Sequence, residues 1–291
     1  MEKICRELAN LLTYDPGERR IPMLSSAAPL LAAATELARA KRVSLISGFY
    51  IREAEAWETD GPLGTLVLAE ILERTGVTVT IFTDEGCLPI FESGGRLLKL
   101  EARIVGFPPG REVDAQAILV NYQPDVLVAI ERTGRAADGG YYNASGFDIS
   151  EYVAHFDNLF LLAKEVHLPT IAVGDGGNEL GFGAKVREAQ LLLGSASPIA
   201  CVTAADHLVP CGVSNWGAYA LAALYSRQSG SSCLCDVQSL EALLQEIVDA
   251  GAIDGVAMQR VATVDGLPLQ EEKDMFSRVM LYTHGATKSA S

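Results

Sequence analysis

Carboxylates, amides and glycines cluster at four places along the 291 residues, each just after an apolar run. The densest cluster is Gly174-Asp175-Gly176-Gly177-Asn178-Glu179. One reading is a tight strand-to-helix turn with Asn178 as N-cap, since Asp, Asn and Gly suit turns for local reasons alone. The other is a divalent-metal or anion site. Asp175 then supplies a hard oxygen ligand at a strand end, and Gly176 and Gly177 leave backbone N–H groups open to a ligand. Glu131-Arg132-Thr133-Gly134-Arg135 sets an acid ahead of two guanidinium groups. Exposed Arg–Glu pairing is one account of it. A fork-like grip on a substrate carboxylate by Arg132 and Arg135 is the other. In Glu58-Thr59-Asp60-Gly61-Pro62 the acids either cap the helix that Pro62 starts or join a site, and Asp84 and Glu85 carry the same two readings. Trp216, within Gly212-Val213-Ser214-Asn215-Trp216-Gly217, suits the core and a pocket wall equally.

Other chemistries find little support. His155 and His167 fall on or beside a helix, His284 lies near the tail, and His207 alone is close to late strand ends, so no Ser-His-Asp or Cys-His arrangement emerges. The six cysteines are sparse for a chain large enough to need no staples, and Cys233 and Cys235 have no second pair at zinc spacing. They read as reduced thiols. A formal net charge of −14 repels nucleic acid and anionic lipid. No dinucleotide fingerprint is present. The first twenty residues lack the apolar core of a signal peptide, and no run reaches the roughly 18 apolar residues that span a bilayer. A cytoplasmic location, with no nucleic-acid and no membrane partner, is the expectation.

The clusters sit on a regular frame. Val43–Ser47, Val77–Phe82, Val126–Ile130 and Thr170–Val173 are continuous apolar runs, the pattern of parallel strands covered on both faces. Leu100–Val105 and Ile199–Thr203 are weaker candidates. Between them the apolar spacing predicts helices from Pro62, from an Asp148 cap with Glu151 three residues on, from Ser214, and over Gln238–Ala250. This alternation predicts an α/β fold: one domain over 1–291, a doubly wound, mainly parallel sheet with helices on both faces, three-layer and Rossmann-like. Connections leading into strands are brief, while those leaving them are long and carry the clusters. In such sheets the strand exits share one edge, where ligands bind.

Gly174–Glu179 also resembles the fourth acidic motif of haloacid-dehalogenase phosphatases. The Asp-x-Asp-x-Thr/Val nucleophile motif is missing, which excludes transfer through an aspartyl phosphate. A fuller resemblance covers nearly the whole chain. Ser47-Gly48-Phe49, Glu58–Pro62, Glu131-Arg132 with Gly134-Arg135-Ala136, Asp138-Gly139 with Tyr141-Tyr142-Asn143, Asp175–Glu179, Gly212–Gly217 and Val264-Asp265-Gly266-Leu267-Pro268, in that order, are similar to the D-glutamate cyclase-like C-terminal domain family. That family was formerly known as a domain of unknown function. The eukaryotic enzyme carries an additional N-terminal domain, so the resemblance is to a stand-alone version.

The resemblance implies a lyase of the carbon–oxygen hydro-lyase type, acting in amino-acid metabolism. It would cyclise D-glutamate to 5-oxo-D-proline with loss of water. Ring closure needs a held conformer, a base for the amine, and a Lewis acid or proton donor for the carboxylate. On that basis Asp175 and Glu179 are assigned to metal or base duty, with Glu131 or Asp60 as companion. Arg132 and Arg135 would hold the α-carboxylate, and Asn143, Asn178, Asn215, Gly176 and Gly177 would bind and orient the substrate. A divalent metal, Mg or Mn, a small acidic amino-acid substrate and a homo-oligomer are the implied cofactor and partners. A metal-dependent hydrolase of a related lactam or amide, and a binding module for a small acidic metabolite, are the alternatives.

Overall fold

The computed structural model describes residues 1–194, 199–230 and 236–283. The apolar runs become the middle of a six-stranded, all-parallel sheet. β1 (Arg42–Ser47) and β4 (Thr78–Asp84) lie on one side, and β6 (Val126–Ile130) and β7 (Thr170–Gly174) on the other. β5 (Arg103–Phe107) and β8 (His207–Pro210) close the edges, giving the order β5-β4-β1-β6-β7-β8. A short antiparallel hairpin of β2 (Tyr50–Ile51) and β3 (Ala56–Trp57) stands off the end of β1.

Both faces are covered, as continuous apolar strands require. Val43, Leu45, Val128 and Ile171 face α1 (Glu2–Leu12), α2 (Ala27–Arg39), α3 (Pro62–Arg74), α4 (Leu88–Leu98), α8 (Ser214–Ser229), α9 (Val237–Asp249) and α10 (Leu269–Met280). Ile46, Phe82, Leu127 and Ala172 face α5 (Ala115–Tyr122), α6 (Asp157–Glu165) and α7 (Val186–Leu193). α8 is buried from Ser214 through Ser226, because α3 packs on one side and α2 and α10 cover the other. This is the three-layer α/β architecture.

Three local expectations change. The strand expected over Leu100–Val105 begins at Arg103, because Lys99 turns left-handed and the Leu100 N–H returns to the Gly95 carbonyl to end α4. Ile199–Thr203 is not a strand: Cys201 bridges Ala136 and donates its N–H to Gly177, and the sixth strand follows later. Asp148 does not cap a helix. Its carboxylate turns the chain at Ser150, and Val153–His155 bond outward to Gly110, Arg111 and Asp84. Those outside partners delay α6 to Asp157. Cys233, Cys235 and His284 lie outside the described residues.

Candidate active site

β1 and β6 are neighbours, yet the chain continues from them to opposite halves of the sheet. That switch point opens a crevice beyond the C-terminal strand ends, the place where α/β sheets bind ligands. Here it is a cavity of about 240 Å³. Glu58 and Asp60 come from the β1 exit, Glu131 from the β6 exit, Asp175, Gly176, Asn178 and Glu179 from the β7 exit, and Asp265 from the segment before α10. Glu53, Asn143, Phe49, Ile51, Val256 and Met258 complete much of the wall. Among the described residues lining it, Arg19 is the one cation.

The acids are held by backbone that serves them. Glu131 ends β6 with φ of 44°, a left-handed conformation that a non-glycine residue keeps only where its surroundings enforce it. A Cβ at Gly61 would come within 2.7 Å of the Glu131 Cβ, so the β1 loop can approach only because residue 61 has no side chain. The Ser214 hydroxyl donates to Glu131 Oε2. Glu179 folds back over its own loop, where Oε1 accepts the N–H groups of Asp175 and Gly176. A side chain at Gly174 would strike that carboxyl at 2.8 Å. Two helix N-termini cap each other across the cavity floor. Asp60 accepts the N–H groups of Ser214 and Asn215 at 2.8 Å each, and Asn215 Oδ1 accepts those of Gly61 and Gly64 at 2.9 and 2.7 Å. Glu58–Pro62 therefore does cap a helix through Asp60, but the helix is α8, more than 150 residues away in sequence.

Crowding sets the electrostatics. Burial, then repulsion from Asp265 and Asp175, pushes the Asp60 carboxyl well above its ordinary range. Burial also raises Glu58 strongly, with Asp265 and Asp175 adding to it, and Glu131 strongly, with Asp175 and Glu179 adding to it. Glu179 rises through burial although its loop N–H groups oppose the shift. Asp175 is pushed up to about 6 by burial and the neighbouring Glu179, against the pull of Arg19. Asp265 reaches about 7 through burial, again against Arg19, with Asp175 and Asp254 adding to the rise. Burial disfavours the Arg19 charge, yet Asp175 and Asp265 hold its pKa well above the ordinary value. Its Nη1 pairs with Asp175 Oδ1, and its Nη2 lies 3.0 Å from Asp265 Oδ2.

Of the residues singled out from sequence, Asp60, Glu131, Asn143, Asp175, Gly176, Asn178 and Glu179 meet at the cavity. Asn143 donates to Glu53 Oε2 at 2.8 Å, and Asn178 donates to the Tyr142 carbonyl instead of capping a helix. Four others lie elsewhere. Arg132 is fully buried and grips Asp84 with both Nη atoms, so the expected hold on a substrate carboxylate gives way to an internal ion pair. Arg135 lies 3.8 Å from Glu112, outside the cavity wall. Asn215 is committed to the α3 cap, and Gly177 packs against Ile21 and Leu193. Trp216 is core: its Nε1 donates to Glu272 and its ring stacks on Tyr14. His207 begins β8 at the opposite edge of the sheet. Arg19, Glu58 and Asp265 were not assigned from sequence. Glu58 and Asp265 stood inside the motif strings, whereas Arg19 sits in a loop with no pattern of its own.

Two trios of acids bring one oxygen each to within 4.8 Å of one another: Asp60, Asp175 and Asp265, and Glu131, Asp175 and Glu179. Arg19 already spans Asp175 and Asp265. In the second trio Asp175 Oδ2 and Glu179 Oε2 are buried with no hydrogen-bond partner. Hard oxygens lacking a donor are what a divalent cation such as Mg or Mn takes as ligands, so these residues fit one. No helix among the described residues is long and apolar enough to cross a membrane.

Residues 8–280 match the family described as D-glutamate cyclase-like, C-terminal. The human protein named D-glutamate cyclase, mitochondrial, is 41% identical over 239 residues, which cover 76% of this chain and 38% of that protein. The chain therefore spans well under half the length of this curated relative. It belongs to the D-glutamate cyclase-like C-terminal family.

Proposed function

We propose that this member of the family cyclises D-glutamate to 5-oxo-D-proline, releasing water. The observation that carries the reading is the cavity itself: seven carboxylates and one guanidinium facing a space sized for a small, charged metabolite. In the reaction the amine nitrogen bonds to the γ-carboxyl carbon, and one carboxyl oxygen leaves as water. The ammonium supplies both protons that water needs, so the site must move two protons from nitrogen to oxygen. Asp265, pushed up to about 7 and outside the Glu131–Asp175–Glu179 trio, suits that work, since a group titrating near neutral pH both takes and returns a proton. Glu131, Asp175 and Glu179 would hold a divalent cation, Mg or Mn, which when bound supplies Lewis acidity to the γ-carboxylate. Holding the substrate folded contributes the rest, because ring closure is intramolecular. A small acidic amino acid as partner, a homo-oligomeric assembly and a cytoplasmic location belong to the same proposal.

Incubation with D- or L-glutamate, with and without chelator, followed by chromatography of 5-oxoproline against a no-protein control, tests it. Protein-dependent 5-oxo-D-proline is the expected result. Opening of 5-oxo-D-proline or another lactam without the forward reaction would make the protein a hydrolase. Binding without turnover would make it a binding module.

A further inference from the structure

We propose that Arg19 is the residue that binds the substrate's α-carboxylate, presented by a strap over Thr13–Arg20. The ligand's identity rests on the cyclase reading of this cavity; the choice of residue rests on geometry. The cavity is lined by many more acids than bases, and a glutamate brings two further negative groups. Some donor must meet them. Arg132 is closed on Asp84 and Arg135 lies outside the wall, which leaves Arg19 as the guanidinium in the cavity among the described residues. Its two Nη atoms reach Asp175 and Asp265, its side chain keeps 24% exposure, and the residue lines the cavity.

The strap is built to hold that group. Glu18 and Arg20, on either side of Arg19, both have positive φ, at 52° and 66°. Two left-handed non-glycine residues flanking one position cost energy and persist only where the surroundings impose them. Asp15 imposes them here, its carboxylate accepting the N–H groups of Arg19 at 3.0 Å and Arg20 at 2.6 Å. Tyr14 stacks on Trp216 with centroids 5.7 Å apart, anchoring the strap to α8. Its carbonyl lies so close to Gly212 that a Cβ there would be 1.9 Å away. A rigid, strained loop whose one cavity-facing group is a guanidinium is the arrangement expected of a carboxylate clamp, since a planar fork positions a carboxylate in two directions at once.

The test compares wild type, Arg19→Lys and Arg19→Gln by calorimetric binding and by turnover, with melting temperature as the check on folding. D-Glutamate and glutarate are the carboxylate probes, and 4-aminobutyrate, which has the amine and γ-carboxylate but no α-carboxylate, is the control. Both variants should bind D-glutamate about 10- to 100-fold more weakly, with KM rising more than kcat falls, while 4-aminobutyrate is unaffected. Equal losses for D-glutamate and 4-aminobutyrate, or unchanged D-glutamate binding, would overturn the assignment. Arg19-dependent binding of glutarate or D-glutamate in a protein that forms no 5-oxoproline would sink the cyclase reading and leave the assignment standing. A wild type that binds none of the three overturns both.

Discussion

The molecule contains two arginine–aspartate sites at the same sheet edge, and they are built to opposite ends. Arg132 sits at the β6 exit, fully buried. It grips both oxygens of Asp84, donates to the carbonyls of Gly48 and Ala154, and carries the Phe156 ring 4.9 Å from its guanidinium carbon. Asp84 also accepts the Ala154 N–H. Every donor and acceptor of the pair but Arg132 Nε is matched, so the pair bolts the β1, β4 and β6 exits to the segment before α6. Arg19, in contrast, faces a cavity and meets acids that outnumber it, two of which keep a buried oxygen without a partner. Closure with matched partners is what makes a buried ion pair structural; an excess of one sign with open valences is what makes a pair available to a ligand.

Breaking the closed pair should have the largest effect. Arg132→Met leaves the Asp84 carboxylate buried and short of its main partner, so denaturant titration should show a loss of about 3–5 kcal/mol. A change under 1 kcal/mol would mean that the two arginine sites are not different in kind. The open site should behave in reverse. Asp175→Asn keeps volume, removes one of several crowded charges, and takes away one of the oxygens that would hold the cation, beside Arg19. We expect kcat/KM for D-glutamate to fall about 10²-fold or more while the melting temperature holds or rises. Turnover equal to wild type would return the Asp175 loop to a simple turn.

Glu272 sharpens the comparison, being buried like Asp84 but matched by neutral donors alone. Trp216 Nε1 and the Tyr219 hydroxyl each donate to it at 2.7 Å, and burial pushes its pKa up to about 7 from an ordinary 4.5. Between those two pH values the folded chain binds more protons than the unfolded one. Stability from this group is therefore full below about 4.5, falls as pH rises, and is gone above about 7. Glu272→Gln removes the charge while its amide oxygen still accepts from Trp216 and its NH2 donates to the Tyr219 oxygen, reversing that one bond. It should flatten that slope and stabilise the protein at pH 8 by on the order of 1–3 kcal/mol, read from melting curves across pH. An unchanged slope would place the pH dependence in the cavity acids instead. The smallest effect expected is from a divalent ion on the open site. Mn at about ten times its Kd should add about 1.4 kcal/mol to stability at pH 7.5, reversed by chelator and absent in Glu179→Gln. No shift in wild type would argue that Arg19 alone offsets the acids.

Much of this was legible before any coordinates. Continuous apolar runs fixed four central strands because a strand buried on both faces has no room for alternation. Long, acid-rich exits and brief returns then placed a site at one edge, and the order of the motif strings pointed to the family. Asp60, Glu131, Asp175 and Glu179 were found this way because each directly follows a strand or lies in its exit loop. The roles of the two arginines were not legible. Arg132 and Arg135 share a loop with Glu131, but a buried carboxylate at the end of β4 draws the Arg132 guanidinium inward, away from the cavity. Arg19 lies more than 150 residues before Asp175 and carries no periodicity, so only the docking of Tyr14 on Trp216 brings it to the acids. Asp60 shows the same division. Its capping function was readable from its place beside Pro62, while the helix it caps was decided by the packing of α3 on α8. Sequence patterns report what each residue's neighbours along the chain require, namely burial, turn geometry and strand period. Which charge meets which is settled only when distant segments dock, because a carboxylate has no preference among guanidinium groups until desolvation removes the water that would otherwise serve every one of them.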